Sequence, residues 1–211
     1  SKQFQTTHLV ARYSLDDLVN PGADSSGGGH NAAVVGVRFS VPGQFGNAFA
    51  FNGSTYLIAP FSPAFIEIVE QITVAIWIKK TVADLTGFGV LVGRRWDTGF
   101  ADAWVLFYGQ DGADTYSWFP PTTDDAATSV AGGASTGDLN KWVHLAGTYD
   151  GTEMRIYTNG VPAATTAPTG TFRPDTELTP LVIGGVTTET RGASESSSRA
   201  RWMRQPSTIG R

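Results

Sequence analysis

Between Trp142 and Ala163 the chain turns twice, at Asp150-Gly151 and at Asn159-Gly160, and no other feature of the sequence constrains the fold as tightly. Both dipeptides favour the positive φ angles of tight hairpin turns, so the runs they separate read as antiparallel strands. The run before the first turn alternates. Trp142, His144, Ala146 and Thr148 lie on one face, and Val143, Leu145, Gly147 and Tyr149 on the other. A strand with side chains covering both faces is what a sandwich of two sheets requires. The Asp150-Gly151 turn then sets its register against Glu153 to Thr158.

The rest of the chain reads the same way. Ile72 to Lys79 is the strongest strand, with Ile72, Val74, Ile76 and Ile78 on one face and Thr73, Ala75, Trp77 and Lys79 on the other. Val10 to Leu15, Ala32 to Phe39, Val90 to Arg94, Trp104 to Tyr108 (followed by Asp111-Gly112) and Leu181 to Ile183 are further β-rich runs. Ala48 to Phe51 and Thr55 to Ala59 flank Asn52-Gly53, which predicts a hairpin there. The one run with helix-like spacing is Pro63 to Glu70, and it is short. Asp124 to Gly137 reads as a loop of small and polar residues. Spacing rules give about 12 or more short strands, hence an all-β chain forming one antiparallel two-sheet sandwich.

Composition removes several functions. A chain of 211 residues can bury a sizeable single core. Fifteen basic against nineteen acidic residues leave a formal charge of -4, which argues against an electrostatic nucleic-acid binder. No apolar run approaches the roughly 20 residues that span a bilayer, so no membrane insertion is expected. The absence of cysteine excludes a disulfide scaffold, a thiol nucleophile and a thiolate zinc site. The chain begins at Ser1 without a visible signal peptide, and an upstream leader or domain is expected.

The strings WVHLAGTYDG (Trp142 to Gly151) and MRIYTNGVPA (Met154 to Ala163) resemble the laminin-G-like, concanavalin A-like module. LVARYSLDD (Leu9 to Asp17) resembles its opening strand, and DSSGGGHNAAVVG (Asp24 to Gly36) its aspartate and glycine loop. FGNAFAFNGSTYLIAP (Phe45 to Pro60) is similar to its "G-x-A-x-x-F-d-G" hairpin, ITVAIWIK (Ile72 to Lys79) to its central strand, and PLVIGG (Pro180 to Gly185) to its penultimate strand. The resemblance covers about Leu9 to Gly185. It implies a two-sheet jelly roll, usually a recognition or adhesion module within a larger protein or assembly, although fold alone does not assign function.

Catalysis is not expected. A two-carboxylate glycosidase needs an acid and a nucleophile or base at a defined separation. The concanavalin-like glucanases carry E-x-D-x-x-E on one strand, and no such string exists here. Glu67 and Glu70 flank an apolar segment, and Asp16-Asp17 and Asp124-Asp125 fall in turns. The histidines, His8, His30 and His144, come without a G-x-S-x-G elbow, so a serine triad is not supported either. His144 reads as a packed strand histidine.

Two ligand sites are expected. Asp24 and the carbonyls of the following Ser-Ser-Gly-Gly-Gly turn, Gly27 among them, offer oxygens for one structural calcium ion, which takes six to eight such ligands. The competing reading is an Asx-turn in which Asp24 bonds its own backbone. For carbohydrate, Arg95, Trp96, Asp97, Tyr116 and Trp118 combine aromatic faces with groups that bond hydroxyls. Trp104 and Tyr108 share one strand face and read as core. The expected function is a non-catalytic recognition module binding a glycan or glycoprotein, extracellular, cell-surface or virion-associated. The alternative is a structural or adhesion domain that makes protein contacts only.

The tail departs from the module. Residues 1–190 form the expected sandwich, whereas 191–211 are basic through Arg191, Arg199, Arg201, Arg204 and Arg211, with no strand alternation. The module closes with F-x-G-x-(I/L)-D-(E/D/A)-x-x-(V/I)-Y-x-R. Trp202 and Met203 have single codons, and the last base of one joined to the first two of the next gives GAT, which is Asp. The same frame permits F-S-G-S-L-D-A-A-A-V-Y-D-R-A from Ser197 to Arg211. The tail therefore reads as an out-of-frame product beginning between about Gly185 and Ser196. A genuine basic tail contacting an acidic partner is the other reading.

Overall fold

The computed structural model describes residues 9–65, 70–81, 89–95, 102–108, 115–120, 130–134, 137–167 and 179–185. In chain order the strands are β1 (Ala33–Val35), β2 (Ser40–Pro42), β3 (Asn47–Phe49), β4 (Tyr56–Ala59), β5 (Ile72–Lys79), β6 (Gly89–Arg95) and β7 (Asp102–Tyr108). They continue with β8 (Thr115–Phe119), β9 (Val130–Ala134), β10 (Trp142–Tyr149), β11 (Met154–Thr158), β12 (Val161–Thr166) and β13 (Leu181–Ile183). One sheet runs β1-β4-β13-β6-β7-β8-β9, a second β12-β11-β10-β5, and β2 and β3 form a separate pair. Every pairing is antiparallel. This is the all-β concanavalin A-like jelly roll that the strand pattern and the resemblance imply.

The two sheets face each other across one large core. Leu57, Leu106 and Trp118 from the seven-stranded sheet meet Val143, Leu145 and Ile156 from the four-stranded one. The alternation expected for β5 and β10 is observed, with exposed or half-buried residues at every second position. Strands β7 and β8 of the larger sheet differ. Trp104 to Tyr108 and Tyr116 to Phe119 are buried without a break, and Val90, Val105, Phe107 and Phe119 form a second cluster on the face away from the main core. Continuous apolar runs are the sequence mark of strands buried on both faces.

Arg94 at the end of β6 is fully buried and ties three segments together. Its Nε and Nη2 donate to the Thr179 carbonyl at 3.2 and 3.1 Å, and Nη2 also reaches Thr179 Oγ1 at 3.2 Å. Nη1 donates to the Phe65 carbonyl at 3.1 Å, and the guanidinium stands 5.9 Å from the Phe65 ring centroid.

Several local expectations need correction. Asn52-Gly53 does not close a hairpin: β3 pairs with β2, and β4 pairs with β1 and β13. The Asn52 side chain accepts from the Ser54 N–H at 3.0 Å, which satisfies the turn locally and lets the chain pass from one strand pair to another. Val10 to Leu15 makes only an isolated bridge, Tyr13 to Asp24. The segment Asp124 to Gly137 contains β9 rather than being loop throughout. From Pro63 the chain makes a 3-10 turn, Pro63–Phe65, and residues 66–69 lie outside the described residues. At Asn159-Gly160 the turn is as expected, with φ of 51° and 79°.

Candidate functional site

The aromatic cluster expected to bind carbohydrate divides. Trp96 and Asp97 lie outside the described residues, and Arg95 is placed only as the last residue of β6. Tyr116 and Trp118 belong to β8 and point into the core, 2% and 0% exposed. Tyr116 donates its hydroxyl to Asp138 Oδ2 at 3.2 Å, and Trp118 Nε1 donates to the Thr148 carbonyl at 3.1 Å. A ligand would have to open the sandwich to reach either ring. Trp118 sits opposite Gly147 of the facing sheet and fills the space that the missing side chain leaves.

Asp24 organises its loop through four hydrogen bonds. Oδ1 accepts the N–H groups of Arg12 (2.9 Å) and Ser26 (2.8 Å), while Oδ2 accepts the Ser26 hydroxyl (2.8 Å) and the His30 N–H (2.9 Å). Partial burial alone would raise its pKa, but the donors from Arg12, Ser26 and His30 outweigh it and hold the carboxyl down to about 2. Gly27 supplies a positive φ of 94° in the turn that follows. Calcium needs carboxylate lone pairs, and here four donors already use them. No group of three His, Asp or Glu able to hold a metal occurs among the described residues. The hydrogen bonds of Asp24 to Ser26 within the loop are those of the Asx-turn.

Asp102 is the one acidic residue on any described strand, whereas a strand-borne glycosidase needs two carboxylates. His8 lies outside the described residues, and His30 stacks on Phe65 with 4.9 Å between centroids.

What the structure does assemble is an aromatic group on the outer face of the four-stranded sheet. Trp77 of β5, 39% exposed, pairs across the strands with His144 of β10, and their ring centroids are 5.2 Å apart. Phe45, 72% exposed in the turn between β2 and β3, stands edge-on to Trp77 at 5.8 Å and 83°. That turn is held from below. Asp16 Oδ1 accepts the Asn47 N–H, and Gly43 N donates to the Gly46 carbonyl at 2.9 Å. Gly46 has φ of 61°, and its Cα sits so close to the Asp16 carboxylate that no Cβ would fit.

The same face continues toward β11. Ala75 pairs with Ala146, and Ala146 with half-buried Tyr157. One repeat further, Thr73, Thr148 and Arg155 form the next row. Arg155 bridges Asp150 Oδ2 at 3.1 Å and the Glu153 carboxylate. The Asp150 carboxyl is held down to about 2, chiefly by the Thr152 N–H and then by the Glu153 N–H. His144 is therefore an outward-facing partner of Trp77 and not a core histidine. Sequence reading separates the two faces of each strand without saying which faces outward, and it reads His144 as a packed strand histidine; the signal is a large ring at Trp77 among Thr73, Ala75 and Lys79. Nothing in the sequence marks Phe45, because the β2–β3 hairpin whose turn carries it is not among the hairpins the sequence predicts.

Residues 51–195 match the family described as the concanavalin A-like lectin/glucanases superfamily, well over half of the chain. The chain belongs to the concanavalin A-like lectin/glucanase superfamily. Among curated protein sequences none matches significantly. Solved structures with the same fold include the binding domain of Paraclostridial Mosquitocidal Protein 1, at 15% identity and a TM-score of 0.61, covering 76% of this chain and 41% of that one. Domain 4 of AbnA, an extracellular arabinanase of Geobacillus stearothermophilus solved with arabinotriose, is 19% identical with a TM-score of 0.53, covering 84% of this chain and 82% of that one. Botulinum neurotoxin type C, whose cell entry depends on two ganglioside molecules, is 18% identical with a TM-score of 0.57, covering 83% and 48%. The chain thus spans less than half of the two toxin chains. At these identities the likeness is to the concanavalin A-like fold alone.

Proposed function

We propose that this domain is a non-catalytic, extracellular carbohydrate-recognition module and that its ligand rests on the outer face of the four-stranded sheet. The observation that carries this reading is the exposed Trp77 ring, flanked by His144 and Phe45. A large ring left in water on a sheet face costs hydration free energy that a sugar's C–H face recovers, while the imidazole beside it bonds hydroxyls. The arabinotriose complex of AbnA domain 4 and the ganglioside dependence of botulinum neurotoxin type C support a glycan ligand for this fold. A glycan array probed with the wild-type domain and Trp77→Ala tests it. Glycan binding that disappears in Trp77→Ala, at unchanged melting temperature, supports the reading, and binding that survives the substitution removes Trp77 from the site.

A specific observation favours a second reading. Leu18, Val19, Val37, Phe39 and Val41 are exposed around the β2–β3 pair, an apolar surface suited to a protein partner. An array with no glycan signal, together with a protein complex lost in a Val19→Asp, Phe39→Asp double variant, would establish protein contact as the function.

A further inference from the structure

Resting on the carbohydrate reading, we infer that the ligand is a neutral oligosaccharide of more than one sugar, laid across β5, β10 and β11 from Trp77 to Tyr157. The register fixes the line. Trp77 is opposite His144, Ala75 is opposite Ala146, and Ala146 is opposite Tyr157. Tyr157 is thus two strands across from Trp77 and one side-chain repeat along. With strands about 4.8 Å apart and about 6.8 Å between same-face residues, the two residues' Cα atoms stand about 12 Å from each other. A single sugar ring cannot touch both.

The ground between them is low. The path crosses β10 between His144 and Ala146, so among the described residues the His144 ring borders it on one side and the short Ala75 and Ala146 on the other. Alanines alone would mean nothing; here they separate an exposed indole from a phenol on one continuous face.

Charge selects the class. Arg155 lies beside the Tyr157 end, but its guanidinium is already engaged by Asp150 and Glu153. Lys79 sits one repeat beyond Trp77, off the line toward Tyr157. Among the described residues no cation stands between Trp77 and Tyr157 to favour an acidic sugar, whereas a neutral chain needs only ring faces and hydroxyl partners.

Calorimetry with mono-, di-, tri- and tetrasaccharides of the arabinan, xylan and cellulose series, and a sialylated oligosaccharide as the acidic probe, tests the inference. Affinity in one neutral series should rise about tenfold between the mono- and the trisaccharide, the ratio that one added ring contact supplies, and then level off. Tyr157→Ala should remove that rise and leave the monosaccharide affinity unchanged. Ala146→Leu, which raises a wall on the path without touching the core, should do the same. Length-independent binding that needs Trp77 and ignores Tyr157 and Ala146 overturns the inference while the carbohydrate reading stands. Preference for the sialylated probe overturns the neutral class. A domain that binds no carbohydrate at all overturns both.

Discussion

The indole of Trp118 lies flat against the backbone of Gly147, and its Nε1 donates to the carbonyl of the next residue, Thr148, at 3.1 Å. This contact joins the two sheets: a side chain from β8 meets the one inward position in β10 that leaves it room. Gly147→Ala would drive a methyl group into the ring, and overpacking of this kind costs about 1–3 kcal/mol. Trp118→Ala would cost about 3–5 kcal/mol and leave a cavity. Urea unfolding measures both. A Gly147→Ala variant as stable as the wild type would contradict the packing described.

Arg94 makes the second cross-link. Replacing it by Met keeps much of the volume but deprives the Thr179 and Phe65 carbonyls of their donors. Buried acceptors left without partners cost about 1–3 kcal/mol each, so Arg94→Met should lower stability by about 2–5 kcal/mol. Arg94→Lys should recover little of it, since an ammonium cannot reach both carbonyls with the spread of a guanidinium fork. Equal stability of the Lys variant and the wild type would show that charge, not geometry, is what matters there.

Sequence reading placed the strands well where one face is polar and the other apolar. In β5 and β10 the alternation gave the right faces, and at Asn159-Gly160 the turn chemistry gave the right hairpin. It failed where two competing partners exist. Asn52-Gly53 carries hairpin chemistry, yet β4 finds better partners in β1 and β13. It failed again at Tyr116 and Trp118, because a strand buried on both faces has no alternation to show which rings reach solvent. The site itself depends on register between distant strands and on a hairpin tip, information carried by no local pattern.

Asp24 makes stability depend on pH. Its folded-state pKa of about 2 lies below the ordinary value of 3.8, so between these values the unfolded chain binds more protons than the folded one. The stability it contributes is present above about pH 4 and is lost as pH falls toward 2. Asp150 titrates in the same window, and Asp24→Asn separates the two. The difference in melting temperature between wild type and Asp24→Asn should be largest at neutral pH and shrink toward pH 2. Because the Asp24 oxygens are already filled by N–H and O–H donors, EDTA and added calcium should leave the melting curve where it is. A calcium-dependent rise that is absent from Asp24→Asn would show that the loop exchanges its donors for the ion.

The family match ends at residue 195, within the basic tail of residues 191–211. A shifted frame from about Gly185 to Ser196 onward predicts that the encoding DNA carries an FSGSLDAAAVYDR-like string in the neighbouring frame. Restoring that frame by a single-base change should raise the melting temperature, since a closing strand covers an open sheet edge. A neighbouring frame without such a string would leave the tail as a genuine basic segment.

Asp16 acts on the proposed site only through the hairpin. It touches neither ring, but its carboxylate holds Asn47 and fills the space beneath Gly46, and that turn carries Phe45 to the edge of Trp77. Asp16→Ala removes the acceptor and frees the turn. A partly exposed hydrogen bond of this kind contributes about 1 kcal/mol, so glycan affinity should fall about fivefold if Phe45 is part of the surface the sugar meets. Asp16→Asn keeps an acceptor for the Asn47 N–H and should stay near wild type. Phe45→Ala should lose as much affinity as Asp16→Ala, and the double variant no more than either, because both changes remove the same ring from the same place. Additive losses would mean that Asp16 contributes to binding by a route other than Phe45.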